Sequence, residues 1–344
     1  QRGVTCTADM LEGANVVEEG IDRVAEAFRE AGIRGYLAFE SSERVSKEHG
    51  EKGLQKNIDF ARKWNSKDDL IKGTMAVHTA FSASPEYIKK TREAADELNT
   101  PLQIHIAQSP FEVEFIKENM GYPGPVYLLE DAGFLGSDVI AAHCIYLEEE
   151  EIDILAEHGV NISFNPKSNQ RAANGVCPVP EFKKRGMNVG LGLDGINIMD
   201  MHEMMVHAAY MIRTANLDRN LLPPREVLEM ATVNGARALG IEDEVGSLEE
   251  GKKADIIFVQ MEGREHLTPI FDIWEAAAFG ARGSDVKMVM VDGEIVVEDN
   301  KIKNVAVNEL LQEVRQAATE FKEKILSTPV AADWELTTIN KQEE

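Results

Sequence analysis

In 138-DVIAAHCIYLEEEEIDILAEHGVNISFN-165 a short apolar run, a helical run and a second apolar run follow one another without a break. That is the pattern of a βαβ unit, whose two strands lie parallel in one sheet. The same alternation extends in both directions. Upstream stand "PLQIHI" with "FEVEFIKENMG", "GTMAVH" with "PEYIKKTREAADEL", the run "IRGYLAF", and "RGVTCTAD" with "VVEEGIDRVAEAFREAG". In the last of these Val17, Ile21, Val24 and Phe28 recur at helical spacing, and Gly32 caps the end. Downstream, "VPEFKKRG" leads into "MNVGLGLD". Seven parallel strands are expected from this reading, whereas a closed barrel of such units needs about eight. One strand is missing, and the chain opens directly on the "RGVT" run.

Beyond the helices "MHEMMVHAAYMIRTA" and "PREVLEMATVNGARALG" the period changes. "KADIIFV", "VKMVMVDG" and "EIVVEDN" alternate as antiparallel strands do, with a hairpin turn at Asp292-Gly293. The expected organisation is a barrel over 1–245, a β portion over 246–305 from which 265–285 can return to the barrel, and a C-terminal helix and tail over 306–344. The methionines of 199–211 fit a core-filling helix better than a ligand pocket.

The chemistry is carried by where the histidines fall. The chain has eight, and His78, His105 and His143 each stand just past a strand-like run, as does Asp194. Ends of parallel strands converge on one mouth, so these four side chains are expected to meet. Imidazole and carboxylate are ligands for a catalytic divalent cation, zinc foremost and iron as the alternative, that acidifies a bound water. His105 is the expected nitrogen ligand. Asp194 can ligate and also accept the water proton. His143 can either ligate or polarise the group under attack. His49, His158, His202, His207 and His266 fall in other settings and are assigned no chemistry.

Composition narrows the partners. Lys and Arg total 36 against 60 Asp and Glu, a net charge of −24, which disfavours nucleic acid and anionic membranes. No apolar run reaches the ~18 residues of a membrane span. The three cysteines, Cys6, Cys144 and Cys177, have no paired spacing, so a reducing cytoplasmic setting is expected. Acidic runs such as Glu148 to Glu151 read as solvated helix faces, and "NIS" at Asn161 as a chance glycosylation match inside a strand.

Several stretches in their order, "IHIAQSPFEVE", "AAHCIYLEEEEIDILAEHGVNISFNPKSNQRAANG", "VGLGLDG" and "ATVNGARALGIEDEVGSLEEGKKADIIFV", resemble the amidohydrolase superfamily. The branch is that of the methylthioadenosine and S-adenosylhomocysteine deaminases and the triazine chlorohydrolases. The resemblance implies an α/β fold, a (β/α)8 TIM barrel with a small β-sandwich, its first strand apparently missing here. It implies a single metal held by His105, Asp194 and an His-x-His pair, with His143 behind it and His78 on the substrate. Asn165, Ser168 and Asn169 would shape the pocket, Asn169 as a substrate contact. A small heterocyclic substrate and a homo-oligomer are also implied.

Two departures from that pattern stand out. No His-x-His occurs in the chain, so either a preceding segment supplies it or the product is truncated and its metal site impaired. Where the deaminases have His-x-x-Glu, this chain reads His105-Ile106-Ala107-Gln108. Gln hydrogen-bonds but cannot carry a proton, which removes a factor of about 10²–10⁴. The expected activity is therefore attack by water on a C–N bond (deamination) or a C–Cl bond of a purine, pyrimidine or triazine-like ring, with Gln108 as a contact. The alternative is a ligand-binding protein of the same fold without turnover. A nucleotide-loop reading of 190-GLGLDG-195 is disfavoured by the carboxylate within it and by the delayed helix after it.

Overall fold

The computed structural model describes residues 1–67, 69–195 and 200–326; the expected tail after Leu326 lies outside the described residues. The chain divides into two compact units, 1–301 and 302–344. Of the second, the helix Val307–Leu326 is the main described element, as the amphipathic pattern predicts.

Strand and helix alternate through most of the first unit. The order is β1 (Cys6–Leu11), α1 (Gly20–Ala31), β2 (Arg34–Phe39), α2 (Lys47–Asn65), β3 (Ile71–Gly73), β4 (Met75–Thr79), α3 (Pro85–Leu98) and β5 (Leu102–Ile106). Then come α4 (Pro110–Phe115), α5 (Pro125–Asp131), β6 (Val139–His143), α6 (Glu149–Glu157), β7 (Asn161–Phe164), α7 (Pro166–Arg171), α8 (Val179–Lys184) and β8 (Val189–Leu191). Strands β1-β2-β3 and β4-β5-β6-β7-β8 form two parallel sheets in chain order. Only Thr74 separates β3 from β4; its N–H bonds Leu37 O at 2.9 Å, and a parallel bridge pairs Ser41 with Val77. Taken as one interrupted strand, β3 and β4 leave seven parallel strands in sequence, as the apolar runs predict. The fold is α/β.

The apolar runs are continuous because both faces of the sheet are covered. Leu102, Ile104 and Ile106 of β5 and Val139 and Ala141 of β6 are fully buried with Phe134, Leu155, Phe164 and Phe182 around them. Met204, Met205 and Met211 are buried too, in α9 (Met201–Asn216), which supports the packing reading of the methionines.

Some boundaries differ from the expected ones. The first strand is Cys6–Leu11 rather than the "RGVT" run. The helix α2 and strand β3 occupy a stretch whose charged residues dilute the periodicity, although Leu54, Phe60, Ala61 and Trp64 all bury. The single helix expected near 224–240 is two, α10 (Pro224–Met230) and α11 (Val233–Ala238), broken at Thr232 with φ −132° and ψ −96°. The acidic run at α6 is not wholly solvated. Glu151 is 1 % exposed, accepting from Glu148 N at 3.2 Å and Val126 N at 3.1 Å, so it caps one helix and steadies the start of another.

Strands β9 (Ile256–Val259), β10 (Val286–Val291) and β11 (Glu294–Glu298) are antiparallel. The β10–β11 turn has positive φ at Asp292 and Gly293 (50° and 85°), the geometry that joins a two-residue hairpin. Arg34 at the start of β2 pairs with Asp255 just before β9 at 3.0 Å, both side chains buried. On β9, Ile257 and Phe258 are exposed.

Candidate active site

The four residues singled out from the sequence lie at one end of the parallel strands. His78 is next to last in β4, His105 next to last in β5, His143 last in β6, and Asp194 follows β8. The His78 and His105 ring centroids are 5.4 Å apart, as are those of His105 and His143. His143 Nε2 stands 3.8 Å from Asp194 Oδ2. The sheet thus brings them into one cluster.

The backbone is unusual at the same place. Ala107, His143, Cys144 and Asp194 all have positive φ, at 49°, 70°, 49° and 53°. Each such L-residue costs on the order of 1 kcal/mol or more, and this strain gathers at the strand ends that carry the cluster.

Each imidazole is oriented by its Nδ1. His105 Nδ1 bonds the backbone oxygen of His78 at 2.8 Å, and His143 Nδ1 bonds Asn169 Oδ1 at 2.8 Å. Oxygen acceptors on Nδ1 leave the Nε2 lone pairs free, the arrangement that metal-binding histidines use. Burial, and then the neighbouring His105, push His143 down to about 4. Burial also lowers His105, so both rings are neutral near pH 7. Asp194 behaves oppositely. Burial pushes its carboxyl up, but Ser168 Oγ–H, Gly195 N–H and the two histidines outweigh it and hold the group below the usual carboxylate range.

The helix α7 therefore holds the cluster from behind. Asn169 is fully buried beneath His143, and Ser168 donates to Asp194. Asn165 is buried beside Ser163, whose Oγ donates to it at 3.2 Å. Gly192 after β8 allows this closeness, since a Cβ there would overlap Asn165 Oδ1 and Ser163 Oγ. Gln108 is partly exposed at the turn after β5. Beneath that turn Glu112 is 1 % exposed, and its Oε2 accepts from Gln108 N at 3.1 Å. Burial pushes Glu112 up to about 7.

Sequence reasoning missed a polar wall on the β1–β2 side. Glu40 directly follows β2, its carboxylate lies against His78 Nδ1, and Arg44 is 3.4 Å from both Glu40 and Glu12. Glu12 follows β1 just as Glu40 follows β2. The strand-end rule that singled out the histidines would have found both glutamates had it been applied to every ionisable side chain. Burial, and then His105, push His78 down to about 4. Among the described residues no group of three or more His, Cys, Asp or Glu side chains is arranged to hold a metal ion. His105 and Asp194 supply donors of suitable chemistry but not, with their described neighbours, a full set.

An α/β array of parallel strands with imidazoles and a carboxylate at the strand ends is the framework of a hydrolase, and residues 1–296 match the amidohydrolase family, to which the chain belongs. Among its relatives is the 5'-deoxyadenosine deaminase of Methanosarcina mazei, 38% identical over 311 residues, covering 89% of this chain and 71% of that protein. The 5-methylthioadenosine/S-adenosylhomocysteine deaminase of Desulforudis audaxviator is 36% identical over 309 residues, with 89% and 71% covered. In three dimensions the chain matches an adenosine deaminase from Xanthomonas campestris solved with bound zinc, at a TM-score of 0.85, 24% identity, and 93% and 72% coverage. It also matches the atrazine chlorohydrolase TrzN from Arthrobacter aurescens complexed with zinc, at 0.82, 23%, and 91% and 73%. The chain is a hydrolase. Among the described residues no helix is long and apolar enough to cross a membrane.

Proposed function

We propose that this hydrolase deaminates an adenine nucleoside modified at its 5' position, releasing ammonia. The observation that carries the reading is the cluster itself: two neutral imidazoles with free Nε2 atoms facing an ionised Asp194. The names of the relatives supply the substrate class. The parallel array is taken as a (β/α)8 barrel and β9–β11 as half of a β-sandwich, as the amidohydrolase resemblance implies. Small heterocycles as the only partners, a homo-oligomer, and a cytoplasmic setting suited to three free cysteines complete the proposal.

Zinc in the neighbours points to a divalent cation here, which His105 Nε2 and the Asp194 carboxylate would hold together with further ligands. Such a cation supplies Lewis acidity and lowers the pKa of water. The chain's own residues then do the following. Asp194 takes a proton from the attacking water and returns it to the departing amine. His143 Nε2, its ring fixed by Asn169, accepts a hydrogen bond from the same water. Gln108 contacts the ring without moving a proton. Water adds at the carbon bearing the amino group, the C–N bond breaks, and the balance is one water consumed and one ammonia released.

Gln108 favours a second reading, displacement of chloride from an electron-poor ring, which needs no proton on the leaving group. The test is ammonia release by the full chain, loaded with zinc, from adenosine, 5'-deoxyadenosine, methylthioadenosine and S-adenosylhomocysteine, with metal per chain measured in parallel. Ammonia from one or more supports deamination. Metal-loaded protein that releases none, but frees chloride from a chlorotriazine, establishes the second reading.

A further inference from the structure

The sequence holds two Asn-Gly pairs, Asn174-Gly175 and Asn234-Gly235. In such a pair the glycine nitrogen has no side chain beside it and can reach the carbonyl carbon of the preceding asparagine side chain. Whether it does so depends on how firmly the asparagine is held, and the two pairs differ there. Asn234 lies within α11, its Nδ2 donates to Val189 O at 3.0 Å, and its backbone O accepts from Asn188 Nδ2 at 2.9 Å. Asn174 follows α7 outside any helix or strand. Its buried Nδ2 has no hydrogen-bond partner among the described residues, nor has the Gly175 N–H. A buried amide left unpaired is costly, so no bond holds this group where it stands. Gly175 has φ 115°, and a Cβ there would stand 3.0 Å from Ile145 Cγ2 and from Tyr146 Oη, so glycine is needed at this place.

We propose that Asn174-Gly175 is a site of spontaneous deamidation of the chain itself, and that the conversion loosens the end of α7 beneath His143. The Gly175 nitrogen bonds to Asn174 Cγ, the Cγ–Nδ2 bond breaks, and the amide group leaves as ammonia with the proton that Gly175 N–H gives up. Water then opens the cyclic imide at either carbonyl, leaving aspartate or isoaspartate at 174, and is the only co-reactant. Isoaspartate runs the main chain through the former side chain and lengthens it by one carbon. The lengthening falls beside the bond from Asn174 N–H to Asn169 O, 2.9 Å, which closes the end of α7. Asn169 Oδ1 is the acceptor that fixes His143, so the change reaches the site through that residue.

The test ages the full chain at mildly alkaline pH, folded in buffer and unfolded in urea, and follows both pairs by peptide mass mapping, with isoaspartate told from aspartate by its fragment ions. The urea sample gives each pair its unrestrained rate. In the folded protein Asn174 should convert at close to that rate. Asn234 should lag by about tenfold or more, the worth of the hydrogen bond to Val189 O that must first break. A folded Asn174 slowed as much as Asn234 overturns the site. The converted chain carries one more negative charge, so ion exchange separates it from the unconverted one. Amide hydrogen exchange at the end of α7 should then be about tenfold faster in the converted form, the worth of the bond to Asn169 O, and with turnover its kcat should be lower. Equal exchange in the two forms overturns the effect on α7. The mapping and the exchange need neither metal nor turnover, so loss of the deaminase reading and loss of this proposal are separate results.

Discussion

Position 108 is where the chemistry is most open to adjustment by one side chain. Gln108 sits at the turn after β5 and can only hydrogen-bond, so Gln108→Glu should raise ammonia release by about 10²-fold or more at unchanged metal content. An unchanged rate across the nucleoside panel would show that Gln108 does not face the leaving group. Asn169 makes a different prediction. It is the acceptor that fixes the His143 tautomer, and removing such an outer partner costs about 10–100-fold in activity. Asn169→Ala should lower kcat by that factor and, because it leaves the buried His143 N–H without an acceptor, also cost about 1–3 kcal/mol of stability; an effect on kcat under twofold would count against its positioning role. Glu112 gives the pH dependence. Its folded pKa of about 7 lies above the unfolded value. Its contribution to stability is therefore complete below pH 4.5 and lost as the pH rises through 7. The whole shift is worth at most about 3 kcal/mol. Glu112→Gln keeps an acceptor for Gln108 N–H but cannot ionise, so the variant should gain stability over wild type at pH 8 relative to pH 5. Parallel melting curves at the two pH values would refute this.

At the scale of elements, the site is the loops between each strand and the next helix, and their fit depends on close approach. Gly192 lets the turn after β8 lie against Asn165 and Ser163. Gly192→Ala should cost about 1–3 kcal/mol and impair activity, since Asp194 lies two residues on. A variant with wild-type melting and rate would show that the two loops are not in register. The elements were legible in sequence to the degree that their burial was one-sided or complete. β6 is buried throughout and reads as an apolar run up to His143, β5 alternates fully buried Leu102, Ile104 and Ile106 with Gln103 and His105, and α1 ends where Gly32 adopts φ 70°. α2 was not legible, because its apolar residues are interrupted by lysines and by asparagines that bond the sheet, as Asn57 Nδ2 does to Phe39 O at 2.8 Å and Asn65 Nδ2 to Gly73 O at 3.0 Å, while Lys56 and Lys63 reach Asp22 of α1. The histidines and Asp194 were legible because strand direction alone brings them together. The jobs of Asn169 and Ser168 were not. Both lie on one turn of α7, and only the packing of that turn shows which of them reaches His143 and which reaches Asp194. Nor does anything in Ala107 or Cys144 announce a left-handed backbone, which tertiary contacts impose on residues that do not favour it.

For the first unit as a whole, the question is what ties the parallel strands to the antiparallel sheet. On the parallel side, Ala236, Ile241 and Val245, in and after α11, pack with Cys6 and Tyr36 of β1 and β2, close to where Arg34 begins β2. The tie itself is ionic. Arg34 reaches Asp255 across 221 residues of sequence, at 3.0 Å from Nη2 to Oδ1, and Asp255 Oδ1 also accepts from Asp292 N at 2.8 Å in the β10–β11 turn. The two side chains are 7% and 3% exposed. Both charges have left water, so their attraction does no more than offset the cost of burying them, and the pair contributes mainly by fixing how the parts meet. Removing one partner is another matter. Asp255→Ala leaves the buried Arg34 guanidinium only the half-exposed Asp292, 4.0 Å away, as a counter-charge and should destabilise the protein by about 3 kcal/mol, whereas Arg34→Met with Asp255→Leu removes both buried charges and should cost much less. Urea unfolding of the two single variants and the double variant measures this directly. If the double variant is as unstable as the sum of the singles, the pair is not coupled across the boundary. If it recovers most of the loss, the ion pair sets the specificity of that boundary rather than its strength.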